Sequence, residues 1–175
     1  DSETPVIAVK SGLIITFRES AKLAADEAGL RPDLASDVIK VAVIERHGIN
    51  GNIGLGFVKG FGLKRGAIAS SVSHDSHNII AVGVDDESIA RAVNLIIKAK
   101  GGVAAVDGKN EQLLPLPVAG IMSAADGYEV AEAYSAIDRM SKAMGSKLAS
   151  PFMTLSFMAL LVIPSLKLSD KGLFN

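Results

Sequence analysis

Cysteine and tryptophan are both absent from the 175 residues, and aromatic side chains make up only 5% of them. Without cysteine there is no disulfide scaffold, no thiolate-bound zinc and no cysteine nucleophile. A surplus of charge of either sign is missing too, since 18 basic and 19 acidic residues leave a formal −1. That balance argues against binding to nucleic acid or an anionic membrane through bulk charge. What is plentiful is apolar: 49% of residues are hydrophobic, 21% are charged and the mean hydropathy is +0.34. A chain of this kind often keeps an apolar face for a partner. Its length is enough for one domain, or a closely joined pair, with a real core. It begins at Asp1 without an initiator Met and reads as a piece of something larger.

The opening DSETPVIAVK has neither the basic start nor the long apolar stretch of a signal peptide. The longest uncharged run, Leu148 to Leu166, reaches membrane-span length, but Pro151 and Pro164 interrupt it. Within it Thr154 and Ser156 alternate with Met153, Leu155 and Phe157, which predicts a half-buried strand over Phe152–Ile163 and no span.

Val6–Val9 and Leu13–Phe17 flank a Lys-Ser-Gly turn and read as a hairpin. Glu19 to Ala28 is alanine-rich and stops at Gly29, which predicts a short helix. Val38–Glu45 reads as a strand. Gly48 to Gly66 then holds seven glycines in nineteen residues, and regular structure is not expected across it. Two strands, Ala67–Val72 and Ile79–Val84, enclose the polar Ser73–Asn78. Asp85-Asp86 opens a helix to about Lys100, with Ile89, Val93, Ile96 and Ile97 on one face. Val103–Val106 and Gln112–Leu116 flank Asp107-Gly108, a strong hairpin signal. A second amphipathic helix covers Asp126–Met144, and KLSDKGLFN reads as a polar tail. About seven strands and three helices, hairpins among them, predict an α+β fold: a largely antiparallel sheet flanked by the helices, in one domain spanning 1–175.

The glycine stretch contains Gly54-x-Gly56-x-x-x-Gly60, one residue too long for the dinucleotide fingerprint and followed by no helix. Its glycines are better explained by tight turning or by close approach to a neighbour. The densest polar cluster is Ser73-His74-Asp75-Ser76-His77-Asn78. Imidazoles act as ligands or bases near neutral pH, and a carboxylate can orient them. His74 and His77 fall on opposite faces of an extended segment and converge only if the loop turns. A complete metal site wants three or four protein ligands, so this segment is a solvated loop, a small site, or a site finished by groups from elsewhere. Glu45-Arg46-His47, at a strand end before the glycines, is a second candidate, with an exposed ion pair as its plainer reading.

Taken together, Glu45-Arg46-His47-Gly48, NGNIGLGFVKGFGL (Asn50–Leu63), GAIASS, SHDSHNI, LPLPVAGIMS (Leu114–Ser123), PFMTLSF and VIPSLKLSDKG closely resemble the C-terminal region of microbial adenine deaminase, of the amidohydrolase superfamily. The resemblance runs from about Val38 onward. It implies hydrolysis of adenine to hypoxanthine and ammonia by a cytoplasmic purine-salvage enzyme. A divalent metal, manganese or iron, would lower the pKa of a bound water, and a nearby carboxylate would shuttle protons. Those groups would lie in a catalytic barrel preceding this segment. No His-x-His occurs and there are only three histidines, so no metal ligand and no catalytic residue is assigned here, and no cofactor is expected in this fragment. The resemblance implies an auxiliary domain, inactive alone, whose partners are the barrel of the same chain, adenine in the full-length enzyme and further copies in a homo-oligomer. Nucleic acid and membrane are not expected partners. His74, Asp75, His77 and Asn78, helped by Glu45, Arg46 and His47, are expected to face the active site as a wall or lid. The alternatives are a purely structural or dimerisation module and an independent small metal- or purine-binding domain.

Overall fold

Period-two alternation with a large and a small side decides how this chain packs. The computed structural model describes residues 3–27, 29–48 and 50–175. In it Glu3–Ala8 (β1), Phe17–Lys22 (β2), Val38–Ile44 (β5), Ile53–Lys59 (β6), Ala67–Ser70 (β7), Ile79–Gly83 (β8), Gly102–Asp107 (β9) and Asn110–Pro115 (β10) form one eight-stranded sheet, ordered β10-β9-β7-β8-β5-β6-β1-β2. Every neighbouring pair is antiparallel except β1 with β6. Ala25–Asp26 (β3) and Gly29–Leu30 (β4) make a small separate hairpin. Three helices, Asp86–Lys98 (α1), Gly127–Ala143 (α2) and Pro151–Phe157 (α3), complete the expected α+β architecture with Lys167–Ser169 (β11) and Gly172–Phe174 (β12).

The two faces of the sheet differ in side-chain size. On one, Ile39, Val41, Val43, Ile68, Ile80 and Val82 meet Ile137 and Met144 of the α2 region and Phe152 and Leu155 of α3 in the main core. On the other, Ala42, Ala67, Ala69, Ala81 and Ala104 leave room for α1 to come close with Ile89, Val93 and Ile96. Asp85 caps α1 by accepting from the Ser88 amide at 2.7 Å, so the helix starts where its first orphan donors need an acceptor.

Several expectations are corrected. Glu19–Ala28 is not a helix: β2 pairs with β1, Val6 opposite Glu19, and Leu23 anchors a small cluster with Val6, Val38 and Phe57. Ladder bonds and that anchor override alanine's weak helical preference; Ala28 itself lies outside the described residues. The first hairpin exists, but its second strand begins only at Phe17. The glycine stretch contains a central strand, β6, because Gly54 and Gly56 present bare backbone to the β11–β12 hairpin lying across them; Ile49 lies outside the described residues. Phe152–Ile163 is not a strand, for Pro151 starts helix α3, which buries Phe152 and Leu155 and exposes Met153. The supposed polar tail is the β11–β12 hairpin, with Leu168 in the main core. Among the described residues no helix is long and apolar enough to cross a membrane.

Lys167 is completely buried, and its Nζ donates to the carbonyls of Ile14 and Phe157, each at 3.0 Å. Burial pulls its pKa down to about 8. A neutral amine has two N–H groups, one for each carbonyl, so deprotonation costs no hydrogen bond. The unfolded chain holds this proton up to the ordinary value of about 10.4, whereas the folded chain releases it near 8. The lysine's contribution to stability is therefore complete above the unfolded value and is lost as pH falls toward 8. Between pH 7 and 10 the unfolding free energy of the wild type should rise relative to Lys167→Met by on the order of 2 kcal/mol. A constant difference across that range, measured by urea titration, would show that the ammonium is not desolvated.

Candidate functional site

Three connections of the sheet end at the same pole: the β5–β6 loop, the β7–β8 loop and the turn after β10. Arg46, leaving β5, ties them together. Its Nε donates to the His77 carbonyl at 2.7 Å, its Nη2 to the Ala119 carbonyl at 3.1 Å, and its amide to Asn78 Oδ1 at 3.0 Å. The Ser73–Asn78 loop does turn. The His77 amide donates to the Ser73 carbonyl at 2.6 Å, and the Ser73 amide donates to His77 Nδ1 at 3.3 Å. The turn brings the His74 and His77 rings to 5.5 Å, edge to face, with His74 also 4.9 Å from Phe157 at the end of α3. His47 Nε2 lies 2.8 Å from the Ser76 carbonyl. All three histidines thus belong to one pole.

One contact fixes the tautomer of His77. His77 Nδ1 accepts a hydrogen bond, so the neutral ring carries its proton on Nε2 and offers a donor. His47 Nε2 lies between the Ser76 carbonyl at 2.8 Å and Arg46 Nη2 at 3.3 Å. Burial lowers the His77 pKa, and the nearby His74, Arg46 and His47 charges lower it further, against a smaller opposing effect from Asp75. His77 is therefore neutral at pH 7. Burial also takes the Arg46 guanidinium below its ordinary value. Ser73 is fully buried beside them, and among the described residues its Oγ has no hydrogen-bond partner.

Of the seven residues expected here, His74, His77, Asn78, Arg46 and His47 are joined directly. Asp75 is exposed and acts on His77 through its charge. Glu45 faces its own loop instead, accepting from the Asn52 amide at 3.0 Å, and a side chain at Gly48 would collide with its carboxylate. Two members have no local signal in the sequence. Asp170, in the β11–β12 turn, accepts from Asn78 Nδ2 at 3.2 Å and from Asn52 Nδ2 at 3.4 Å. Gly120, at φ +77°, lies so close to the guanidinium that a Cβ would overlap it.

A metal does not fit these residues. His77 Nδ1 and His47 Nε2 are committed to backbone groups, and the Arg46 cation lies among the rings. Among the described residues no three His, Asp or Glu side chains converge as ligands. The pole offers instead a neutral N–H donor, a guanidinium and two imidazole rings set edge to face, which suits a planar polar molecule.

Residues 13–175 match the family model for the adenine deaminase C-terminal domain. The chain belongs to that family. It is 49% identical over 170 residues to a protein of Methanothermobacter thermautotrophicus called adenine deaminase, covering 97% of this chain and 31% of that protein. Proteins of the same name from Dehalococcoides mccartyi and Brucella abortus are 50% and 51% identical, over 99% of this chain and 31% and 30% of their own lengths. The chain thus spans under a third of these curated relatives. The matched region of the adenine deaminase family includes the whole pole, from Arg46 through Asp170.

Proposed function

We propose that this domain forms one wall of the active site of an adenine deaminase, in which the full-length polypeptide hydrolyses adenine to hypoxanthine and ammonia. Water adds at the amino-bearing carbon, the carbon–nitrogen bond breaks, and ammonia leaves. The family membership supports the reaction. The observation that carries the role of this domain is the convergence of His47, His74, His77 and Arg46 on one pole. A purine offers ring nitrogens to a donor such as His77 Nε2 and a flat face to imidazole rings. The divalent metal called for by this chemistry, manganese or iron, is placed in the rest of the polypeptide, and none of its chemistry falls to residues here. We place the enzyme in the cytoplasm as a homo-oligomer.

In the full-length enzyme, His77→Ala should lower kcat/KM for adenine by about tenfold or more, with bound metal unchanged, because a preorganised donor is lost and nothing that holds metal is touched. His74→Ala should lower it less. If both variants keep wild-type kcat/KM and metal content, the pole does not face the substrate.

A further inference from the structure

The small-residue face of the sheet is only half covered. Helix α1 lies over β7, β8 and β9, and among the described residues no helix covers β5 and β6 on this side. Their side chains there are Ala42, Ile44, Ile53 and Leu55, with the paired positions Ala42–Leu55 and Ile44–Ile53 side by side. Leu55 is 69% exposed and Ile53 57%, while Ile97 on the flank of α1 is 54% exposed. Together they line a trench of about 830 Å³ between α1 and the β3–β4 hairpin at Leu30. Its main charged feature is the Lys40–Asp86 pair, already closed at 2.7 Å.

The size of the trench names its occupant. Strands are about 4.8 Å apart, so the middle of β5–β6 lies roughly 12 Å from β7, under α1. A helix with its side chains is about 10–12 Å wide, and packed helices lie about 8–10 Å apart. There is room for one helix beside α1. Isolated exposed leucines need no explanation, but a continuous apolar trench does. The relatives supply the source, since this chain accounts for only 31% of the protein from Methanothermobacter thermautotrophicus.

We propose that the trench over β5–β6 receives an apolar helix from the part of the full-length polypeptide that lies outside this chain. The docking sets the domain's orientation. Ile44 and Ile53 form the last rung before Glu45 and Asn52, so a body held in the trench also lies next to the histidine pole. The inference rests on this chain being one domain of a longer adenine deaminase. It does not require the pole to touch adenine.

The cysteine-free sequence makes the test direct. Leu55→Cys places one thiol on the trench floor, and Lys109→Cys places a reference thiol in the exposed β9–β10 turn. Each variant is alkylated with iodoacetamide, once in the 175-residue chain and once in the full-length enzyme, and labelling at that peptide is followed by mass spectrometry. Relative to the reference thiol, the trench thiol should react at least about tenfold more slowly in the full-length enzyme than in the short chain. A smaller slowing overturns the proposal. So does protection of the trench thiol in the short chain that grows with protein concentration, because a second copy would then fill the trench. The His74 and His77 kinetics read a different surface: a protected trench thiol, together with normal kinetics in those histidine variants, removes the active-site role and leaves the docking intact.

Discussion

Gly54→Ala is expected to destabilise the domain by about 3 kcal/mol, although exchanging glycine for alanine inside a strand ordinarily gains about 0.5–1 kcal/mol. The reversal comes from one contact. A Cβ at Gly54 would overlap the Ser169 carbonyl in the β11–β12 hairpin, and backbone cannot swing aside as a flexible side chain can. The hairpin must lift. Lifting it uncovers Leu168, now fully buried, at a cost of about 2–3 kcal/mol. It also stretches both hydrogen bonds to Asp170, each worth about 1 kcal/mol. Gly56→Ala is the internal control. Its Cβ would meet only side chains, at 3.5 Å or beyond, and it should stay within about 1 kcal/mol of wild type. Urea denaturation of the two variants decides the matter: if Gly54→Ala is as stable as Gly56→Ala, close backbone approach is not why this strand carries glycine.

The same contact explains why β6 was hard to read from the sequence. A strand normally shows itself by side chains on alternate positions, and Ile53, Leu55 and Phe57 do alternate. The intervening Gly54 and Gly56 are selected by a hairpin near the far end of the chain, which no local pattern reveals. Elements whose partners lie nearby were legible, including the β9–β10 hairpin around Asp107-Gly108 and the Asp85-capped helix. Helix α3 misled for a different reason. Over seven residues, Thr154 and Ser156 mimic the polar side of a strand, yet Phe152 and Leu155 fall three apart on one helical face. The pole was legible in its polar residues and not in its geometry. His74 and His77 needed a turn to meet, and Asn78 needed Asp170, 92 residues away.

Arg46→Ala should be the most damaging substitution at the pole, at about 3 kcal/mol of stability and on the order of a hundredfold in kcat/KM for adenine in the full-length enzyme. Both effects come from its position between loops. The guanidinium holds the His77 carbonyl on one side and the Ala119 carbonyl on the other, and a charged hydrogen bond of this kind is worth about 1.5–3 kcal/mol. Without it the β7–β8 loop keeps its own turn at Ser73–His77 but loses its register against β5. The amides of His77 and Met122 should then exchange with solvent faster, while those in α1 do not. Arg46→Lys should rescue little, because an ammonium on a flexible stem cannot span both carbonyls as the planar fork does. Gly120→Ala supplies an independent route to the same defect, since its Cβ would push the guanidinium out while leaving the charge in place. That change also carries a strain of about 1 kcal/mol from the left-handed backbone, with or without the arginine. The two substitutions should therefore be strongly non-additive, the double variant costing at least about 1 kcal/mol less than the sum of the singles. Simple additivity in that cycle would mean that the loops are held by something other than Arg46.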